Sequence, residues 1–146
     1  MKFKLINETG EKTFALIFDK GDEVIGLLKK FAEDERLLTS HFSGIGALRD
    51  VVLGFFDPLR KEYKKIPVRE QVEVLSMNGD ITIQGGSPKI HAHVVIGKSD
   101  GTAHGGHLME AHVFPTLELI LMESPKFMMR RFDAETGLGL IDVDAA

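Results

Sequence analysis

Only one window of this chain, Glu23 to Asp34, carries apolar residues at helical spacing; most of the rest is cut into short β-prone runs by turn residues. Val24, Leu27, Leu28 and Phe31 fall on one stripe of that window, with Asp22 ahead of it as the expected N-cap. Lys29 and Lys30 sit toward its electronegative end. The strand-like runs begin with Phe3, Leu5 and Thr13 to Phe18, followed by Val51 to Phe56, Tyr63 to Ile66, Gln71 to Met77 and Asp80 to Gln84. His91 to Ile96, Thr102 to His107, Thr116 to Glu123 and Phe127 to Phe132 continue the pattern, and Leu138 to Val143 adds a terminal strand. Gly44 and Gly46 interrupt the run from Thr39 to Gly54 and predict a bulge or bend. Asn78-Gly79 is the strongest short-range hairpin signal in the chain. The expected fold class is α+β, a mostly antiparallel sheet with one main helix, in a single domain spanning residues 1–146.

Composition excludes several functions. Without cysteine there is neither a disulfide nor a thiolate metal ligand, and cysteine-based catalysis is impossible. No Gly-x-Ser-x-Gly elbow occurs, and Ser87 before Pro88 is a weak nucleophile candidate. Gly44-Ile45-Gly46 lacks the third glycine and the helix that a dinucleotide site needs. Eighteen basic and 22 acidic side chains leave a net charge of -4, which argues against a duplex-binding surface built on clustered Lys and Arg. The basic run Arg60, Lys61, Lys64, Lys65 reads as a solvated strand edge that discourages pairing. No apolar stretch long enough to span a bilayer is present, and residues 1 to 10 are too polar for a signal peptide, so a cytoplasmic setting is expected.

Histidine is where the chemistry concentrates, with five of six lying between His91 and His112. His91 and His93 are two apart in a β-branched run, so on a strand both face the same side. A turn at Gly97 to Gly101 leads to a second segment carrying His104 and His107. Imidazole suits zinc and its neighbours, and three protein ligands with an open fourth position is a common arrangement. His107, after Gly105-Gly106, is the best-placed third ligand, with His104 and His112 as alternates and Glu110 or Glu118 to orient a ring or move a proton. A polar pocket without metal and a structural histidine pair remain open alternatives. His41 reads as structural or pocket-lining.

The chain also resembles the prokaryotic members of the PPC family, the plants and prokaryotes conserved domain (DUF296). The likeness rests on Gly44-Ile45-Gly46-Ala47-Leu48, Val72 to Ile81, Gly86-Ser87-Pro88, His91-Ala92-His93, Gly101, Gly105-Gly106-His107-Leu108, Val113, Thr116 and Glu118. It implies a strongly bent antiparallel sheet with a helix packed on it, assembled as a homotrimer. It also implies His91, His93 and His107 as metal ligands, with zinc as the expected ion. Plant members carry AT-hooks for A·T-rich DNA; this sequence has none, and duplex binding is not expected of it. The functional expectation is a homotrimeric metal-binding domain of a family given a proposed DNA-binding label. A zinc-dependent hydrolase or lyase acting on a small molecule, and a purely structural or interaction module, are the alternatives.

Overall fold

The computed structural model describes residues 1–7 and 9–144. Strands β1 (Lys2–Asn7) and β2 (Thr13–Phe18) precede helix α1 (Val24–Asp34). Then come β3 (Ser40–Asp57), β4 (Glu62–Val68), β5 (Val72–Gln84), β6 (Ser87–Gly97), β7 (Ala103–Glu123), β8 (Met129–Phe132) and β9 (Gly139–Asp142). All nine strands join one sheet in the order β1-β2-β7-β3-β5-β8-β9, with β4 added to β3 and β6 laid against both β5 and β7. Each strand pairing is antiparallel except the β5–β8 contact at Ile83 and Met129, which makes the sheet mixed. Because β3 pairs with β5, β5 with β6, β6 with β7 and β7 with β3, these four strands close a circuit.

Alternation along the strands fills the inside of that circuit. Ile90, Ala92, Val94 and Ile96 of β6 join Phe42, Leu48, Leu108, Ala111, Val113 and Leu117 of β3 and β7 in one buried cluster. Val24, Leu28 and Phe31 of α1 enter the same cluster, which is what the helical stripe predicts. Each such side chain contributes roughly 1.5–3 kcal/mol on full burial. No helix among the described residues is long and apolar enough to cross a membrane.

Several local expectations are corrected. Glu23, not Asp22, caps α1, its carboxylate accepting from the N–H groups of Ile25 (3.0 Å) and Gly26 (2.6 Å). Asp22 is drawn away by the amino group of Met1 at 2.6 Å and the N–H of Asp19 at 3.0 Å. No basic residue lies in the last turn of the helix, and Lys30 pairs instead with Asp34. The runs on either side of the Gly44–Gly46 bulge are one 18-residue strand, and the runs on either side of Pro115 are one 21-residue strand. Register shifts absorb both breaks: the β3–β7 pairing skips from Gly46↔Leu117 to Leu48↔Val113, so Pro115 sits in a bulge where its missing N–H is tolerated.

Asn78-Gly79 is not a turn. Both residues lie inside β5, paired with Ser43 and Phe42 on one side and His93 and Ala92 on the other. The glycine is needed for a close approach: a Cβ there would strike the Phe42 ring and come within 2.6 Å of the His91 carbonyl oxygen. The hairpin forms six residues later at Gly85 and Gly86, whose φ values of 58° and 82° suit the two-residue turn joining β5 to β6.

Candidate metal centre

The corrected hairpin positions the site. Counting back from the turn pair Gln84↔Ser87, Asp80 stands opposite His91 and Asn78 opposite His93. Lys89, His91 and His93 share the outer face of β6, because the intervening Ile90, Ala92 and Val94 are buried. On the other side of β6, His93 pairs directly with His107 of β7. His107 in turn sits across from Gly54, and a Cβ on Gly106 would come within 2.8 Å of the Gly54 carbonyl oxygen. Glycine at 106 therefore lets β7 thread between β6 and β3 at this level.

The three imidazoles converge. One nitrogen from each of His91, His93 and His107 lies within 4.8 Å of the other two. Ring centroids are 5.2 Å apart for His91 and His93, 5.3 Å for His91 and His107, and 5.5 Å for His93 and His107. Tyr63 of β4 closes the outer side of His107, with ring centroids 4.6 Å apart. Nδ1 of His107 is buried and has no hydrogen-bond partner. An unpaired buried imidazole nitrogen is costly in a protein interior, and a ligand to a cation removes that cost.

Electrostatics disfavours a charge on two of the three rings, His93 and His107. Burial, followed by the proximity of His91, His93 and Lys89, pushes His107 down to about 4. His93 is lowered by burial and then by His91. Neutral imidazoles present lone pairs at pH 7, which is the form a metal requires. Asp80 supports the cluster from behind. Its Oδ2 lies 3.5 Å from Nδ1 of His91, and its Oδ1 accepts from Nη2 of Arg130 at 2.8 Å. Burial pushes the Asp80 carboxyl up, but hydrogen bonds from His91 and Arg130 outweigh it and hold the group below its ordinary value.

Arg130 is itself locked in place, donating from Nε to Thr82 Oγ1 at 2.8 Å and from Nη1 to the Gly139 carbonyl at 2.9 Å. Nη2 of Arg130 also lies 3.3 Å from Nδ1 of His91. Nδ1 can accept from that guanidinium or donate to Asp80, depending on the tautomer. Donation to Asp80 is the arrangement that leaves Nε2 of His91 free for an ion, as in the carboxylate–histidine–metal relay.

The other expected residues stand elsewhere. His104 pairs with Ile96, on the opposite face of β7 from His107, and is exposed. His112 closes on Asp50, Nδ1 to Oδ1 at 2.6 Å. Glu110 lies 4.0 Å from His112 Nε2, and Glu118 is exposed in register with Ile17 and Ile45, so neither orients the cluster. The orienting carboxylate is Asp80. His41 is exposed, across from Asp80 on the neighbouring strand, and Ser87 is an exposed residue at the start of β6. Asp80, Arg130 and Tyr63 were not anticipated; the first becomes readable only once the turn is placed at Gly85-Gly86.

Comparison with known proteins bears on this cluster. The model of the Plants and Prokaryotes Conserved (PCC) domain matches residues 6–125. The chain belongs to that family. Among solved structures, this PCC chain is similar to a metal-containing protein from Archaeoglobus fulgidus, at 34% identity, 95% coverage of both chains and a TM-score of 0.82. It is similar to a PPC protein from Pyrococcus horikoshii at 30% identity, covering 99% of this chain and 97% of that one, with a TM-score of 0.84. A proposed DNA-binding protein from Bacteroides thetaiotaomicron, 24% identical, shares the fold at a TM-score of 0.88 over 98% of this chain and 99% of that one. No curated protein matches the sequence.

Proposed function

We propose that this PCC domain is a metal-binding protein in which His91, His93 and His107 hold one divalent ion, zinc being the best fit to an all-imidazole donor set. The observation that carries the reading is three converging imidazoles on two hydrogen-bonded strands, one of them with a buried nitrogen lacking a partner. The printed description of the Archaeoglobus fulgidus relative as metal-containing supports it. In such a centre the ion supplies Lewis acidity and lowers the pKa of a bound water. The chain's own part is to keep protons off His93 and His107, to orient His91 through Asp80 and Arg130, and to shield His107 behind Tyr63.

A group of three ligands favours an open shell over a closed structural one. A cleft of about 290 Å³ beside His91 and His107 would give an enzyme somewhere to hold a substrate, which supports a hydrolase or lyase as the second reading. Glu110 and Glu118 are not at hand to move a proton, so we assign no reaction. Self-association as a homotrimer is part of the proposal, supported by Ile45, Leu75 and Val95, exposed on the neighbouring strands β3, β5 and β6 at 61%, 54% and 42%. Repeated register shifts along β3 and in β5 support a strongly bent sheet. Duplex binding is not part of the reading.

Metal analysis of the untagged protein, with its mass measured by sedimentation, tests this. About one zinc per chain is expected, lost on joint replacement of His91 and His93 by alanine, together with a mass three times that of the chain. Wild-type protein that takes up no zinc on titration would overturn the metal reading; a monomer would overturn the trimer.

A further inference from the structure

The cleft beside the histidines has one sign of charge. Its walls come from β4, β5, β6, β7 and β8 and from the segment Gly137–Leu140. Lys89 and Arg130 are among the lining residues and no Asp or Glu is. Asp80, the carboxylate beside His91, is spent on Arg130 and His91. Arg130 is nearly buried and directs its donors at Thr82, Gly139 and Asp80, so it offers a fixed field rather than a free contact. Lys89 is different. It is exposed at the mouth, and among the described residues no carboxylate pairs with it, whereas Lys30 and Lys98 are paired with Asp34 and Glu70.

On the outer face of β6, Lys89 stands one strand repeat from His91, roughly 6.6 Å along the backbone at about 3.3 Å per residue. A group with two oxygens on one small centre can reach both an ion at the imidazoles and the ammonium of Lys89. Volume sets the size of the ligand: about 290 Å³ is at the small end for a binding site, enough for a compact acid and too little for a nucleotide. We propose that the cleft binds a small oxyanion, a carboxylate or phosphate group, between the ion held by His91, His93 and His107 and the ammonium of Lys89. This rests on the metal reading above and adds the class of ligand to it.

Cobalt(II) in place of zinc gives a visible spectrum that reports on the ligands of the ion, so binding is read without knowing any activity. The full-length cobalt protein is titrated with pyruvate and, separately, with inorganic phosphate, following absorbance and heat. Saturable change with at least one anion is expected, and which anion acts distinguishes a carboxylate from a phosphate source. Lys89→Met should weaken that binding about tenfold or more while cobalt content stays at the wild-type value, Lys89→Arg should recover part of it, and Lys98→Met should have no effect. Cobalt uptake with a spectrum indifferent to both anions overturns the inference alone, as does an anion response unchanged in Lys89→Met. Failure to take up cobalt overturns the metal reading, and this inference with it.

Discussion

Two histidines five residues apart on β7 meet opposite circumstances. His112 faces Asp50 at 2.6 Å, and Asp50 also accepts from Nε of Arg49 at 2.8 Å, so each charge in that group has a partner from the protein itself. His107 faces two more imidazoles and a tyrosine ring, and its buried Nδ1 has no partner. One site is complete as folded; the other keeps a buried nitrogen without a partner. The difference teaches that local composition does not decide which histidine is available for chemistry. Cross-strand register does, because it places a carboxylate opposite one ring and a second imidazole opposite the other.

The contrast can be broken most directly by removing each ring in turn. His107→Ala should abolish stoichiometric zinc binding, while His112→Ala should leave it intact; metal content after dialysis reads both. A smaller effect is expected at the supporting carboxylates. Asp80→Asn should weaken zinc binding by about 10–100-fold, measured by competition with a chromophoric chelator. Asp50→Asn should not change it.

Acid separates the two sites by pH window. In the metal-free protein the fold holds His107 at about 4, below the ordinary histidine value of 6.5. Between those values the unfolded chain binds more protons than the folded one, so stability rises with pH and is lost as pH falls from 6.5 toward 4. Asp50 behaves differently. Burial pushes its carboxyl up, but Arg49 and His112 outweigh this and hold it below 3.8, so its contribution is present above that value and lost only at lower pH. Tm measured against pH in the presence of chelator should show the first loss flattened by His107→Asn and unaffected by Asp50→Asn. The least effect is on folding at neutral pH: His112→Ala removes a partly buried, charge-assisted hydrogen bond and should cost about 1 kcal/mol in denaturant unfolding.

Sequence made one part of this molecule legible and hid another. His-x-His on a β-branched strand, with a third histidine after a glycine pair, was enough to bring together the three rings, because strand alternation is strict and the turn at Gly97–Gly101 is short. The helix was readable from its stripe, though not its cap, since Asp22 is taken by the chain's own amino group. Asn78-Gly79 misled because turn chemistry and tight packing ask for the same residue. Nothing local to positions 78 and 79 announces the ring of Phe42, 37 residues earlier in the chain. A turn at that position would take Asp80 away from its place opposite His91, leaving Glu110 and Glu118 as the carboxylates that chain order suggests. Arg130 reaches the site from near the C-terminus through a single parallel contact, which no pattern in its own neighbourhood encodes.

The side-by-side pairing of His93 with His107 makes the centre a matter of phase. A slip of β6 by one residue against its neighbours would turn Lys89, His91 and His93 toward the interior and bring Ile90, Ala92 and Val94 outward. An insertion at Gly85-Gly86 is thus capable of dispersing the cluster with all three histidines still encoded, and a deletion that restored the count would bring it back.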